Sequence, residues 1–522
     1  MSDPEALPPE RKAELRAAGL KVSAAALVAA GLFALYSHEV KVEQQVQELL
    51  AGQKIAGGRA GGARADLQKD TARGWLAAED ALQKALDLQP SNPYAVAALA
   101  DVEVLLSGVG LQDRTPRADE AVSRAEAKDV TLPERYEAHA LQLIQTGRAA
   151  EADAYVLSLL QRFGNVPRLA DVLGRAQRAT GKLAESRVNF KKAQDSDWRQ
   201  PRFVSDYATA LLEDGNPSEA AAAYDRALQA NSDHTRSQIG KARALVALTL
   251  LGRGGGDLKA ARALCEAVLA KPAGEVPARQ KAAALAARAE IALAEANPDD
   301  ALKDGDAAVQ ADAKSPQALR ARALALAAKK SAEAGAAFKA ATAADPYDAS
   351  TYFDGAAALS AAGNDADAEK LLGAYAATLP RTARYHLALA QVLVRRDDAK
   401  AADAELKKAQ ALEPTNAYVY FEQGKLLQKQ RDAKGATAAY ERAAQLRDDF
   451  PEVYRQMGGL YLESKQVDAA IKVFNEALAR YKSARAPTPV MEAFYTDVQT
   501  QVSKAGKKKL AEEWVKEARA LH

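Results

Sequence analysis

The side chains able to do chemistry are few, and their spacing removes most of what they could do. Cys265 is the single cysteine in 522 residues, so neither an internal disulfide nor a cysteine-based zinc site can form. The five histidines are His38, His139, His234, His386 and His522, and no two lie three or four residues apart, which excludes a paired-histidine metal helix. Gly254-Gly255-Gly256 could cradle a phosphate, but no Gly-Lys-Ser/Thr closes the pattern and no strand precedes it, so it reads as a slack loop. Lys507-Lys508-Lys509 could meet acidic lipid or nucleic acid; acidic residues follow at once, as on a solvated helix start. No Ser-His-Asp set, paired-carboxylate motif or dinucleotide fingerprint can be assembled. No enzyme, cofactor or metal is therefore expected.

Arginine is the exception. Arg168, Arg202 and Arg236 recur at 34-residue steps, with Arg384 in the same slot later; Arg175 and Arg243 follow seven residues after two of them, and Arg178 lies close behind Arg175. A guanidinium offers paired donors in a rigid fork, so such a row suits the carboxylates of an acidic ligand. The alternative is pairing with nearby Asp171, Asp206 and Glu219 on solvated helix starts.

What positions these arginines must be helix. Hydrophobic residues make up 48% of the chain but aromatics only 6%, alanine supplying most of the rest, and alanine loses no side-chain entropy in a helix. Lys plus Arg is 71 and Asp plus Glu is 69; a net charge of +2 gives no bulk attraction to nucleic acid. A 34-residue period runs along the chain, with units starting at 133, 167, 201, 235, 282, 315, 349, 383, 417 and 451. Counting from Pro451, large residues fall at slots 4, 7, 11 and 24 (Tyr454, Met457, Tyr461, Phe474) and small ones at 8, 20 and 27 (Gly458, Ala470, Ala477). The small slots are where two antiparallel helices approach most closely; Phe190, Tyr224, Phe338 and Tyr440 fill slot 24 elsewhere, and Cys265 takes it as a small buried hydrophobe. Gly147, Gly181, Gly215 and Gly363 mark the turn between helices, and Pro346, Pro380 and Pro414 end second helices.

These slots resemble the tetratricopeptide repeat family, whose signature is W-x2-L-G-x2-Y, then A-x3-F, then P. Slot 4 is nowhere Trp, and slot 8 is often Ala rather than Gly. The resemblance implies an all-α, right-handed solenoid of about twelve helix-turn-helix hairpins, whose first helices line a peptide-binding concave groove near slots 2, 5, 9, 12 and 13. It carries Arg168, Arg175, Arg178, Arg202, Arg236 and Arg243 over as groove residues. The family's clamp for C-terminal carboxylates needs Lys at slot 5; Asp171, Ser205 and Ile239 stand there, so that clamp is not expected.

Outside the repeats the reading is coarser. Residues 38–132 read as degenerate helical repeats, with a helix after Pro93, a loop at Gly108–Pro116, helices at Ala118–Ala127 and Trp75–Leu88, and a flexible break at Gly57-Gly58 and Gly61-Gly62. Residues 133–484 hold the ten units, and 485–522 two capping helices with a Lys- and Glu-rich outer face. At the start, Val22–Tyr36 is fifteen residues without a charge, against about 20 needed to span a bilayer. Arg11, Lys12, Arg16 and Lys21 precede it, which predicts a short cytoplasmic tail (1–21), an uncleaved transmembrane anchor (22–37) and repeats facing the periplasm of a bacterial cytoplasmic membrane. A soluble helix and a cleaved signal are the alternatives. The expected function is a non-enzymatic scaffold or adaptor that binds extended peptides or partner proteins of an envelope assembly or secretion complex. An accessory subunit of polysaccharide synthesis or export and a soluble cytoplasmic adaptor are the other readings.

Overall fold

The computed structural model describes residue 10 and residues 36–55, 58–60, 62–110, 114–251, 256–272, 274–483 and 488–519. The chain enters as helix α1 (36–51), whose Val46 and Leu50 are buried in the first core. A short antiparallel hairpin follows, β1 (Gln53–Ile55) on β2 (Gly58–Ala60), pairing Ile55 with Gly58. These strands stand where the glycine pairs predicted a flexible break.

Helical hairpins then continue to the end. They are α2 (Ala63–Gln68) with α3 (Ala72–Leu88), α4 (Pro93–Gly108) with α5 (Thr115–Ala127), α6 (Pro133–Gln145) with α7 (Ala149–Phe163), and α8 (Pro167–Arg178) with α9 (Leu183–Ser196). Next come α10 (Pro201–Glu213) with α11 (Pro217–Ala230), α12 (Thr235–Leu250) with α13 (Leu258–Leu269), α14 (Ala278–Ala294) with α15 (Pro298–Ala311), and α16 (Pro316–Ala328) with α17 (Ala334–Ala344). The last are α18 (Ala349–Ala361) with α19 (Asp365–Thr378), α20 (Ala383–Arg395) with α21 (Ala399–Leu412), α22 (Ala417–Lys429) with α23 (Ala433–Leu446), α24 (Pro451–Glu463) with α25 (Val467–Ser483), and α26 (Thr488–Lys504) with α27 (Lys508–Arg519). Proline opens α6, α8, α10, α16 and α24, where its fixed φ suits a first turn and no donor is lost. Elsewhere Asn92, Asp398, Asn416 and Asp432 cap the first turn with a side-chain oxygen.

Three hairpins, α8–α9, α22–α23 and α24–α25, close where a glycine meets an aromatic ring. A Cβ on Gly458 would lie 2.3 Å from Phe474, and one on Gly424 2.4 Å from Tyr440, so only a hydrogen fits beneath the ring. The hairpin turn needs a left-handed residue. Gly147, Gly181, Gly215 and Gly363 supply it, but Ala296, Lys330, Asp397, Arg431 and Lys465 are held there at φ 54 to 66.

First helices pack on first helices: α4 on α6, α6 on α8, α10 on α12, α12 on α14, α14 on α16, α16 on α18, α18 on α20 and α24 on α26. Of the second helices only α17 and α19 pack closely in this way. The first helices therefore form the inner wall of a solenoid. Its turns also touch. Asn231 donates to the Lys69 carbonyl, Arg279 to the Gly108 carbonyl and Arg178 to Asp345, at separations of 162, 171 and 167 residues. In each case a hairpin meets the entry to the first helix five hairpins on.

One expectation is corrected here. Most of the anchor expected at 22–37 lies outside the described residues, and among the described residues no helix is long and apolar enough to cross a membrane. The single-pass anchor, and with it the place in a cytoplasmic membrane with repeats in the periplasm, is not supported. Fifteen alanine-diluted residues fall short of a span, and α1 carries Glu39, Lys41, Glu43 and Glu48.

Candidate functional site

Charged residues on the inner wall pair with opposite charges on neighbouring helices. Arg168 of α8 donates to Asp101 of α4 at 3.1 Å and to Glu137 of α6 at 2.7 Å. Glu137 also receives Arg202 of α10, whose Nε stands 3.4 Å from Asp171 of α8. Arg175 joins Asp171 at 3.1 Å to Asp206 at 2.5 Å, and Asp206 receives Arg236 of α12. A second run follows: Arg243 of α12 to Glu290 of α14 at 3.3 Å, Glu290 to Arg320 of α16, Arg320 to Asp354 of α18 at 2.5 Å, and Arg384 of α20 at 3.8 Å from Asp354. Arg178 leaves these runs and grips Glu213 at 2.7 Å and, across the turn of the solenoid, Asp345 at 3.0 Å.

Five of the six arginines singled out by their spacing thus join these runs, Arg178 turns instead to the seam between turns, and every one meets a carboxylate of its own chain. Arg202 keeps 2% of its side-chain surface; Arg168, Arg175, Arg178, Arg236 and Arg243 keep between 21% and 36%. Their partners Asp101, Glu137 and Asp171 are fully buried. Burial and the Glu137 charge push the Asp101 carboxyl up to about 8, against the pull of Arg168 and Arg202. Burial and Asp206 likewise carry Asp171 up to about 7 against Arg175 and Arg202. Burial works against Glu137 too, yet Arg202 and Arg168 outweigh it and hold that carboxyl below its ordinary range.

Glu137, Glu290, Arg320 and Asp354 were not legible as members of this array. For Glu137 a signal was available: it and Asp171 take slot 5 of their units and Asp206 slot 6, so acids recur beside the arginines at inner-wall slots. Cys265 is fully buried, and burial pushes its thiol up to about 12, which leaves it a packing group. His386 is held by Glu405 at 2.5 Å.

Toward the C-terminus the inner wall is open. A cleft of about 440 Å³ lies among α22, α24 and α26, lined by Gln428, Arg455, Gln456, Glu463, Asp497 and Gln501. Arg455 reaches Asp497 at 2.6 Å and Gln428 reaches Glu463 at 3.3 Å, so the two pairs border the space rather than fill it. Gly459 leaves its floor without a side chain. A shallower hollow of about 580 Å³ lies beside Trp198, between α9 and α11.

Family models described as tetratricopeptide repeat match residues 206–276 and 427–486. The chain carries tetratricopeptide repeats. The matched segments run from within α10 through α13 and from the last residues of α22 through α25, and the same hairpin geometry extends on either side of them. No curated protein matches the sequence. Among solved structures, the chain is similar to one titled as the APC/C hetero-tetramer Cut9-Hcn1, at 15% identity over 88% of this chain and 92% of that one, with a TM-score of 0.42. It is similar to yeast Tom70 at 15% identity over 86% and 96%, with a TM-score of 0.38. MamA matches at 25% identity over 28% of this chain and 87% of its own, with a TM-score of 0.24.

Proposed function

We propose that this repeat protein is a non-enzymatic scaffold that holds a partner protein against the inner wall of its last hairpins. Solenoids of stacked hairpins expose an extended concave surface whose side chains need no catalytic arrangement to bind. The observation that carries the reading is the cleft among α22, α24 and α26, where amides, the Arg455–Asp497 ion pair and the Gln428–Glu463 hydrogen bond border an unfilled space. Amide side chains on rigid helices donate and accept together, which suits the backbone of an extended segment. Below them an aromatic core of Phe421, Tyr440, Phe450, Phe474 and Phe494 fixes the helices, so little order is lost on binding.

The test is a photo-crosslinker at Gln456 in the full chain, with and without Gly459→Arg. The side chain added at Gly459 would occupy the cleft floor. A discrete partner captured by the first and lost from the second, at unchanged helicity, is the expected result. Equal capture by both would overturn the cleft as the docking site.

A further inference from the structure

We propose that the α2–α3 turn occupies, in cis, a carboxylate site that an acidic peptide takes in trans, and that the peptide binds by displacing Asp70. The site lies on the seam between turns of the solenoid, away from the C-terminal cleft, and does not rest on the reading of that cleft. Asp70 is 3% exposed, although it sits in a tight turn near the start of the chain. Its Oδ2 stands 3.1 Å from Nε2 of His234, 164 residues later, at the entry to α12. Nδ1, the other nitrogen of that imidazole, lies 2.7 Å from the Ser237 hydroxyl, which fixes the ring toward Asp70. Asn231 donates to the Lys69 carbonyl at 2.6 Å beside it.

The charges behind His234 belong to the arginine row. Burial works against an ionised Asp70, yet the His234 hydrogen bond and charge, with Arg202 and Arg236 beyond, hold its carboxyl down to about 2. The row is thus already serving one carboxylate that comes from a distant part of the chain. Two features make that occupant replaceable. Asp70 is held at φ 49, a left-handed backbone that a non-glycine residue adopts at a cost, and its buried Oδ1 has no hydrogen-bond partner. The seam around it is polar, made of Asn231, His234 and an Arg73–Glu275 pair at 3.5 Å whose arginine is 75% exposed. A glutamate on a relaxed, extended peptide can present both oxygens to this site, within reach of the same His234, Arg202 and Arg236 charges that act on Asp70.

The experiment measures binding of a fluorescein-labelled oligoglutamate peptide to the full chain by anisotropy. Asp70→Asn should bind on the order of tenfold more tightly than the natural chain, a difference of about 1.4 kcal/mol. Adding Arg236→Gln or His234→Gln to that variant should remove the gain. Asn231→Ala, which frees the Lys69 carbonyl and alters no charge, should give a smaller gain in the same direction. No gain in either Asp70→Asn or Asn231→Ala overturns the proposal, as does a gain in Asp70→Asn that survives loss of either Arg236 or His234. Gly459→Arg should leave peptide binding unchanged, which separates this site from the C-terminal cleft.

Discussion

The two ends of this solenoid solve the same packing problem with different materials. From α4 to α18 the inner wall is stitched by Arg–carboxylate pairs, most of them buried, and the core behind its first hairpins is mostly alanine, leucine and valine, with aromatic rings (Phe338, Tyr352, Phe353, Tyr375) joining it only toward α17–α19. From α22 to α27 the core is aromatic and the inner wall carries half-buried amides around an open cleft. Alanine-rich hairpins bury little area each, so specificity of stacking falls to directional charge pairs. Aromatic hairpins hold their register through ring shape and leave the inner wall free for a partner.

The comparison breaks most visibly at Glu137. Glu137→Ala would leave Arg168 and Arg202 short of a carboxylate, and breaking a buried pair costs about 3–5 kcal/mol. Hydrogen exchange should rise in α4 to α12 and stay unchanged in α22 to α27, because a solenoid confines damage to neighbouring hairpins. Equal loss at both ends would remove the distinction. Gly458→Leu is the converse, driving a side chain into Phe474 at a cost of about 1–3 kcal/mol. Its effect should be read by Trp514, buried beside Phe474 in the C-terminal core, and not by Trp75.

A third difference is in pH. Asp101 and Asp171, raised to about 8 and about 7, keep protons in the folded state that the unfolded chain releases near its ordinary carboxylate value. Their contribution is present at about pH 4 and is lost as pH rises toward 8, by at most about 1.4 kcal/mol per pH unit for each proton. The groups facing Asp101 are Glu134, Glu137, Arg168 and Arg202. Urea midpoints for the α4–α12 region should fall between pH 5 and pH 8, and Asp101→Asn should flatten that slope. A midpoint independent of pH in the natural chain would contradict the raised values. The smallest effect is in the turns: Arg431→Gly and Asp397→Gly relieve left-handed backbone and should raise thermal stability by up to about 1 kcal/mol, less the entropy glycine adds to the unfolded chain. Gly363→Ala should act in the opposite direction.

Much of this fold was legible because repeat physics is local. Slot 8 and slot 24 lie sixteen residues apart in one hairpin, so Gly458 under Phe474 and Gly424 under Tyr440 follow from spacing and size alone. The arginine row was legible as a row of recurring slots. Its partners were harder to see, because Arg202 meets Glu137 at 65 residues' distance and Arg168 meets Asp101 at 67. The residues lining the C-terminal cleft, such as Gln456 and Gln501, carry no pattern that distinguishes them from solvated amides.

By itself the sequence determined helices, their hairpin pairing and the small-against-large contacts within them, since all of these act over a few turns of chain and repeat with the period. Only the tertiary structure decided how far each hairpin rotates on the next. That rotation brings turns together at separations of 162 to 171 residues, seats Asp70 on His234, and closes the inner wall at one end while leaving it open at the other. Small angles between neighbours add over five hairpins, and no local residue pattern records their sum.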